Sequence, residues 1–110
     1  MEVAIATIAF NYSILIPNIE PEQTQEEAAF QVISALSTTY LEHFHSPEAL
    51  YRTVVAIGNI LCYDQKKTQS ARDLALALDT KSSMGRILQK NKDMPQKFVK
   101  AVQECEKLLS

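Results

Sequence analysis

Arg52 is the only lysine or arginine among the first 65 residues. It stands in a run that is otherwise apolar, with Leu50, Tyr51, Val54, Val55, Ile57 and Leu61 around it. A guanidinium in such a setting needs an anionic partner. Two readings follow. Arg52 closes an internal salt bridge or snorkels to the surface, or its planar fork faces a carboxylate of a bound ligand. Asn59 lies seven residues further on, two helical turns along the same face. Its carboxamide offers a donor and an acceptor together, which suits a hydrogen bond within the fold or a clamp on a peptide backbone. Thr7 and Asn11 make a similar polar stripe near the start of the chain, either satisfying neighbouring backbone groups or extending the same binding surface.

Other chemistry is poorly provided for. His43 and His45 form a His-x-His pair at a helix end, with no further Cys/His ligands at zinc spacing, so solvated histidines near a helix C-terminus are the better account. Cys62 and Cys105 are isolated from each other and lack a context that would activate a thiolate. No Gly-rich phosphate loop occurs. Neither a metal, a cofactor nor an enzymatic activity is expected from this pattern.

The elements that must carry these residues are helices. Only two glycines and four prolines interrupt the chain, and no run of alternating apolar and polar residues or Asn-Gly turn suggests a strand. The expectation is an all-α chain of about six helices. The first spans Glu2–Ile16 and stops at Pro17, before a polar loop over Asn18–Gln23. The second starts at a Thr24/Glu27 capping box and runs to about His43. The third begins at Ser46 with Pro47 in its first turn and reaches about Cys62. Further helices are expected over Thr68–Leu78, over Ser82–Lys90, and from near Asp93 through Phe98, Val99, Val102, Leu108 and Leu109. The runs Val3–Ile8 and Val55–Ile60 share a pattern 52 residues apart, with Thr7 at the place of Asn59. Such an echo suggests stacked helical units, as in a solenoid.

Met1–Pro17 is very apolar but has no basic flank for a signal peptide, and Thr7, Asn11 and Ser13 make it too polar and too short for a membrane span. It reads as a buried core helix, apolar on nearly every face, whose neighbour is missing: an exposed apolar face is expected wherever an upstream repeat or a partner would sit. Two unpaired cysteines suit a reducing compartment, the cytoplasm with the nucleus as a second address. Residues 1–65 carry eight acids against Arg52, whereas residues 66–110 carry ten Lys/Arg against five acids. The basic half is too diluted by acids for a nucleic-acid surface.

The segments Ile5–Ser13 and Leu50–Ile60 resemble the PUL domain, the C-terminal domain of the phospholipase-activating-protein family, over about residues 3–80. Val55–Leu61 is similar to the third helix of an armadillo repeat. The resemblance implies a single armadillo-like module across residues 1–110, the C-terminal part of a longer superhelix. It implies a peptide-binding adaptor whose basic groove takes the C-terminal tail of the ubiquitin-selective AAA ATPase, valosin-containing protein, in ubiquitin-dependent degradation. Arg52 and Asn59 match groove positions of that pattern, with Thr7 and Asn11 beside them. Val55 stands where armadillo repeats often have tryptophan, and the chain has no tryptophan at all, which argues against the groove of nuclear import receptors. The alternative is a structural segment that completes a larger solenoid without a site of its own.

Overall fold

The computed structural model describes residues 1–18, 22–65, 69–90 and 93–110, and among these all regular structure is helical. Helix α1 covers Glu2–Leu15 and tightens into a 3-10 turn, Ile16–Asn18. Pro17 sits inside that turn, so the α-helix ends one residue earlier than expected. Helix α2, Glu22–Ala35, passes into a π-helical segment, Leu36–Tyr40, and closes with one turn, α3, Leu41–His43. The remaining helices are α4 (Pro47–Gln65), α5 (Ser70–Ala77), α6 (Thr80–Lys90) and α7 (Gln96–Leu108). Counting α2 and α3 as one rod, there are six rods among the described residues, as expected.

Several boundaries differ from the sequence reading. Thr24 lies inside α2, which starts at Glu22, so it does not cap the helix. Of the anticipated Asn18–Gln23 loop, Asn18 closes the 3-10 turn and Glu22 and Gln23 open α2; residues 19–21 and the Thr68 start of the fourth helix lie outside the described residues. Helix α7 begins at Gln96, not near Asp93, because Pro95 holds Met94 out of the helical region and itself occupies the cap position. The Ser46 cap is present: its Oγ accepts from the Ala49 amide at 3.3 Å.

Contact register shows how the rods stack. The Glu2 carboxylate accepts from the His45 and Ser46 amides, each at 2.8 Å, Arg52 reaches Thr7, and Asn59 reaches Ser13. Residue numbers rise together along α1 and α4, so the two helices run parallel. The same holds on the other side of α4. Lys97 lies over the Tyr51 ring, 4.5 Å from its centroid, and the Cys105 thiol donates to the Val54 carbonyl at 3.4 Å. Helices α1, α4 and α7 therefore form one parallel layer. The α2–α3 rod returns antiparallel to α4: Tyr63 near the end of α4 donates to Gln25 near the start of α2 at 2.8 Å. Together with α5 and α6 it forms the second layer.

The molecule measures 41 × 30 × 21 Å, and its smallest dimension is about two helix diameters. Between the layers lies the core: Ile33, Leu36, Leu41, Val54, Ile57, Ile60, Leu61, Met84, Phe98, Val102 and Leu109. Within the outer layer, buried Thr80 donates to buried Ser37 at 2.9 Å.

The spatial register corrects the internal echo. Thr7 touches Arg52, 45 residues on, and Ser13 meets Asn59, 46 residues on. The 52-residue spacing is out of register by about two helical turns, which keeps the apolar pattern on the same face and makes the echo look like a repeat. The solenoid-like stacking holds, but the echo does not mark equivalent positions.

Helix α1 is not a buried core helix. Of its residues only Ala6 and Ser13 are buried, while Ile8 is 69% exposed and Leu15 56%. The exposed apolar face expected for this helix is present.

Candidate functional site

On α4, the residues Glu48, Arg52, Val55, Asn59 and Cys62 recur every three or four positions and form the strip left open between α1 and α7. Its flanks are buried. Thr53, Ala56 and Ile60 turn toward the interior on one side, Val54 and Ile57 on the other. The fold thus leaves one partly open polar line along an otherwise core helix, and three of the four candidate residues meet along it.

Arg52 is engaged within the chain. Its Nε donates to Glu48 Oε1 at 3.0 Å, one turn back on α4. Its guanidinium also donates to Thr7 Oγ1 on α1. Thr7 in turn donates to the Val3 carbonyl at 2.7 Å, so its hydroxyl relays between the α1 backbone and the guanidinium. Both members of the ion pair remain accessible, with 35% of the Arg52 side chain and 46% of Glu48 exposed. Such a pair is worth about 0–1 kcal/mol.

Asn59 is half-buried. Its Nδ2 donates to Ser13 Oγ at 3.3 Å, and Ser13 donates to the Phe10 carbonyl at 2.6 Å. On its other side Asn59 lines a groove of about 190 Å³ between α4 and α7, with Val55, Gly58, Cys62, Ala101, Glu104 and Leu108. Asn11 is exposed one turn beyond Thr7 on the same side of α1. It lies on the same layer but is not joined to the hydrogen-bonded set.

Charge on this face is mixed. Arg52 is partnered by Glu48, Lys97 covers Tyr51, and the α4–α7 groove contains Glu104. The described part of the face is therefore not a concentrated basic groove.

Sequence reasoning passed over Gly58 and Ser13. A Cβ on Gly58 would lie 3.3 Å from Cys105 Sγ, so the missing side chain lets α7 approach α4 closely beside Asn59. The only signal was a glycine in the middle of a helix otherwise built of good core residues. Ser13 enters the sequence reading as a polar interruption of α1 and as the end of the Ile5–Ser13 resemblance; in the fold it is the buried acceptor for Asn59.

Residues 1–104 match the profile of the PUL domain. The chain belongs to the PUL domain family. The match reaches through most of α7, further than the residue 3–80 resemblance. PUL domains are protein-interaction modules. No curated protein and no solved structure matches the chain.

Other chemistries find little support in this PUL chain. Cys105 is buried, and desolvation, ahead of the nearby Glu104 and Glu106 charges, pushes its thiol up to about 12. It is a core thiol rather than a nucleophile. Cys62 is exposed on the strip. Among the described residues no His/Cys/Asp/Glu group has metal-site geometry, and no helix is long and apolar enough to cross a membrane.

Proposed function

We propose that this PUL chain is a peptide-binding adaptor whose α1–α4–α7 face receives an acidic tail. The partner is the C-terminal tail of the ubiquitin-selective AAA ATPase, valosin-containing protein, and the setting is ubiquitin-dependent degradation in the cytoplasm and nucleus. The chain acts as the C-terminal part of a longer PUL superhelix. The observation that carries this reading is the open strip on α4, where Arg52 and Asn59 lie two turns apart, each partly exposed, on an otherwise packed helix. In this scheme a ligand carboxylate replaces Glu48 on Arg52. The exchange is inexpensive because the existing pair is exposed and weak. Asn59 then bonds the peptide backbone, and Thr7 and Asn11 extend the contact along α1.

A second reading has its own support. Arg52 and Asn59 each already have a partner on the chain, as residues that only tie α1 to α4 would. Calorimetric titration with an acidic tail peptide separates the two. Saturable binding that Arg52→Glu weakens supports the adaptor. Absence of binding to a folded protein leaves these residues as a helix–helix tie.

A further inference from the structure

Arg52 already holds a carboxylate. Its guanidinium has five N–H groups on three nitrogens. Nη1 donates to Thr7 Oγ1 on α1, and Nε donates to Glu48 Oε1, one turn back on α4, at 3.0 Å. Among the described residues Nη2 meets no acceptor.

Nε and Nη2 form one edge of the guanidinium, spaced for a bidentate carboxylate. Glu48 bonds only the Nε half of that edge, through one oxygen. Its side chain is exposed, and an exposed pair of this kind is weak. Thr7 is held differently. Its hydroxyl is anchored on the Val3 carbonyl at 2.7 Å, so it can steady the Nη1 corner while the opposite edge changes partner.

We infer that Glu48 is a built-in competitor of the ligand: it occupies half of the carboxylate site on Arg52 and must leave before a ligand carboxylate takes both donors of that edge. The inference rests on the acidic-peptide reading of this face and adds its regulation. A peptide carboxylate meets Nη2 first and gains Nε as the Glu48 side chain swings into water. A carboxamide offers one acceptor oxygen, bonds Nη2 alone and leaves Glu48 in place. Glu48 also sets a negative charge beside the arriving one. It therefore lowers affinity for acidic ligands and leaves neutral ones nearly untouched.

The test uses the whole chain and two peptides, one of alternating glutamate and serine and one of alternating glutamine and serine, titrated calorimetrically. Glu48→Gln should tighten the glutamate peptide about threefold, within what an exposed ion pair contributes, and the glutamine peptide less than about 1.5-fold. Glu48→Ala is a second variant with the same expected result; the side chain is exposed, so neither disturbs the core. In an Arg52→Gln background the gain should fall below about 1.5-fold, because the contested edge is gone. Glu26→Gln removes the same charge from the exposed side of α2 and should change nothing. The carboxyl carbon resonance of Glu48 should move with the glutamate peptide and stay with the glutamine peptide. Binding that appears only in the Glu48 variants supports the competitor as well. Unchanged or weaker affinity in both folded Glu48 variants, while Arg52→Glu still weakens the glutamate peptide, overturns the competitor and leaves the acidic-peptide reading standing. Equal tightening by Glu26→Gln, or a gain that survives Arg52→Gln, overturns it too. No binding to the parent chain or to either Glu48 variant removes both.

Discussion

Arg52 and Asn59 were identified by type and spacing, and the structure places both on one accessible strip. It also gives each an internal partner, which spacing alone did not reveal. This changes the expected size of their effects. With Arg52 partly exposed, Arg52→Glu should weaken an acidic tail peptide about tenfold, or about 1.4 kcal/mol, as measured calorimetrically. A loss of several kcal/mol would require a desolvated pair. Asn59→Ala removes the Ser13 bond and should lower stability by about 1 kcal/mol in denaturant melts. If it also weakens peptides of different charge equally, the carboxamide serves as a backbone clamp; a purely stability-related effect leaves it as the α1–α4 tie. The cysteines give an independent check. Cys62 should react with a thiol reagent in the native protein, and buried Cys105 only after unfolding. The raised pKa makes Cys105 favour the protonated state in the fold. Its contribution to stability is full below the ordinary thiol value of 9.0 and is lost as pH rises toward about 12. Cys105→Ala should flatten alkaline unfolding over that interval.

At the scale of elements, the joints between helices carry the information that pattern reading misses. Glu2 sits at the N-terminus of α4, where free amides and the helix dipole favour a carboxylate. Its hydrogen bond from the Ser46 amide holds its pKa below the ordinary 4.5. A depressed pKa contributes stability that is present above the unfolded value and lost as pH falls through the folded value. Glu2→Gln should therefore reduce the acid dependence of the melting temperature below about pH 4.5 while changing neutral peptide binding little. Gly58 decides the approach of α7. Gly58→Val should cost about 1–3 kcal/mol, because its added carbons meet the Cys105 side chain. Chemical denaturation with a helicity readout measures the loss. The helices themselves were legible because Pro47, Ser46 and the apolar periodicity are local signals. The π-helical segment at Leu36–Tyr40 was not, since the apolar spacing of Ile33, Leu36, Tyr40 and Leu41 is that of an ordinary helix. Only the one-residue shift of register, which brings the Leu41 amide to the Leu36 carbonyl, distinguishes it.

At the scale of the whole molecule, two helical layers leave α1 at one edge with its apolar face open. Ile5, Ile8, Ala9 and Tyr12 line a groove of about 230 Å³ against Gln31, Val32, Ala35, Leu36 and Tyr40 of the outer layer. Ile8 contributes little to the core, so Ile8→Glu should change stability by less than about 0.5 kcal/mol, in contrast to a substitution at buried Ile57. A thermal melt of the two variants shows the difference. The all-helical class, the number of rods and the place of Arg52 and Asn59 on one face of α4 follow from the sequence by itself, because helix propensity and apolar spacing act over a few neighbouring residues. The parallel register of α1, α4 and α7 and the meeting of Thr7 with Arg52 and of Ser13 with Asn59 were decided only in the tertiary structure. Each depends on which turns of helices some 40 residues apart lie side by side, and that is set by how the core side chains interlock across the two layers.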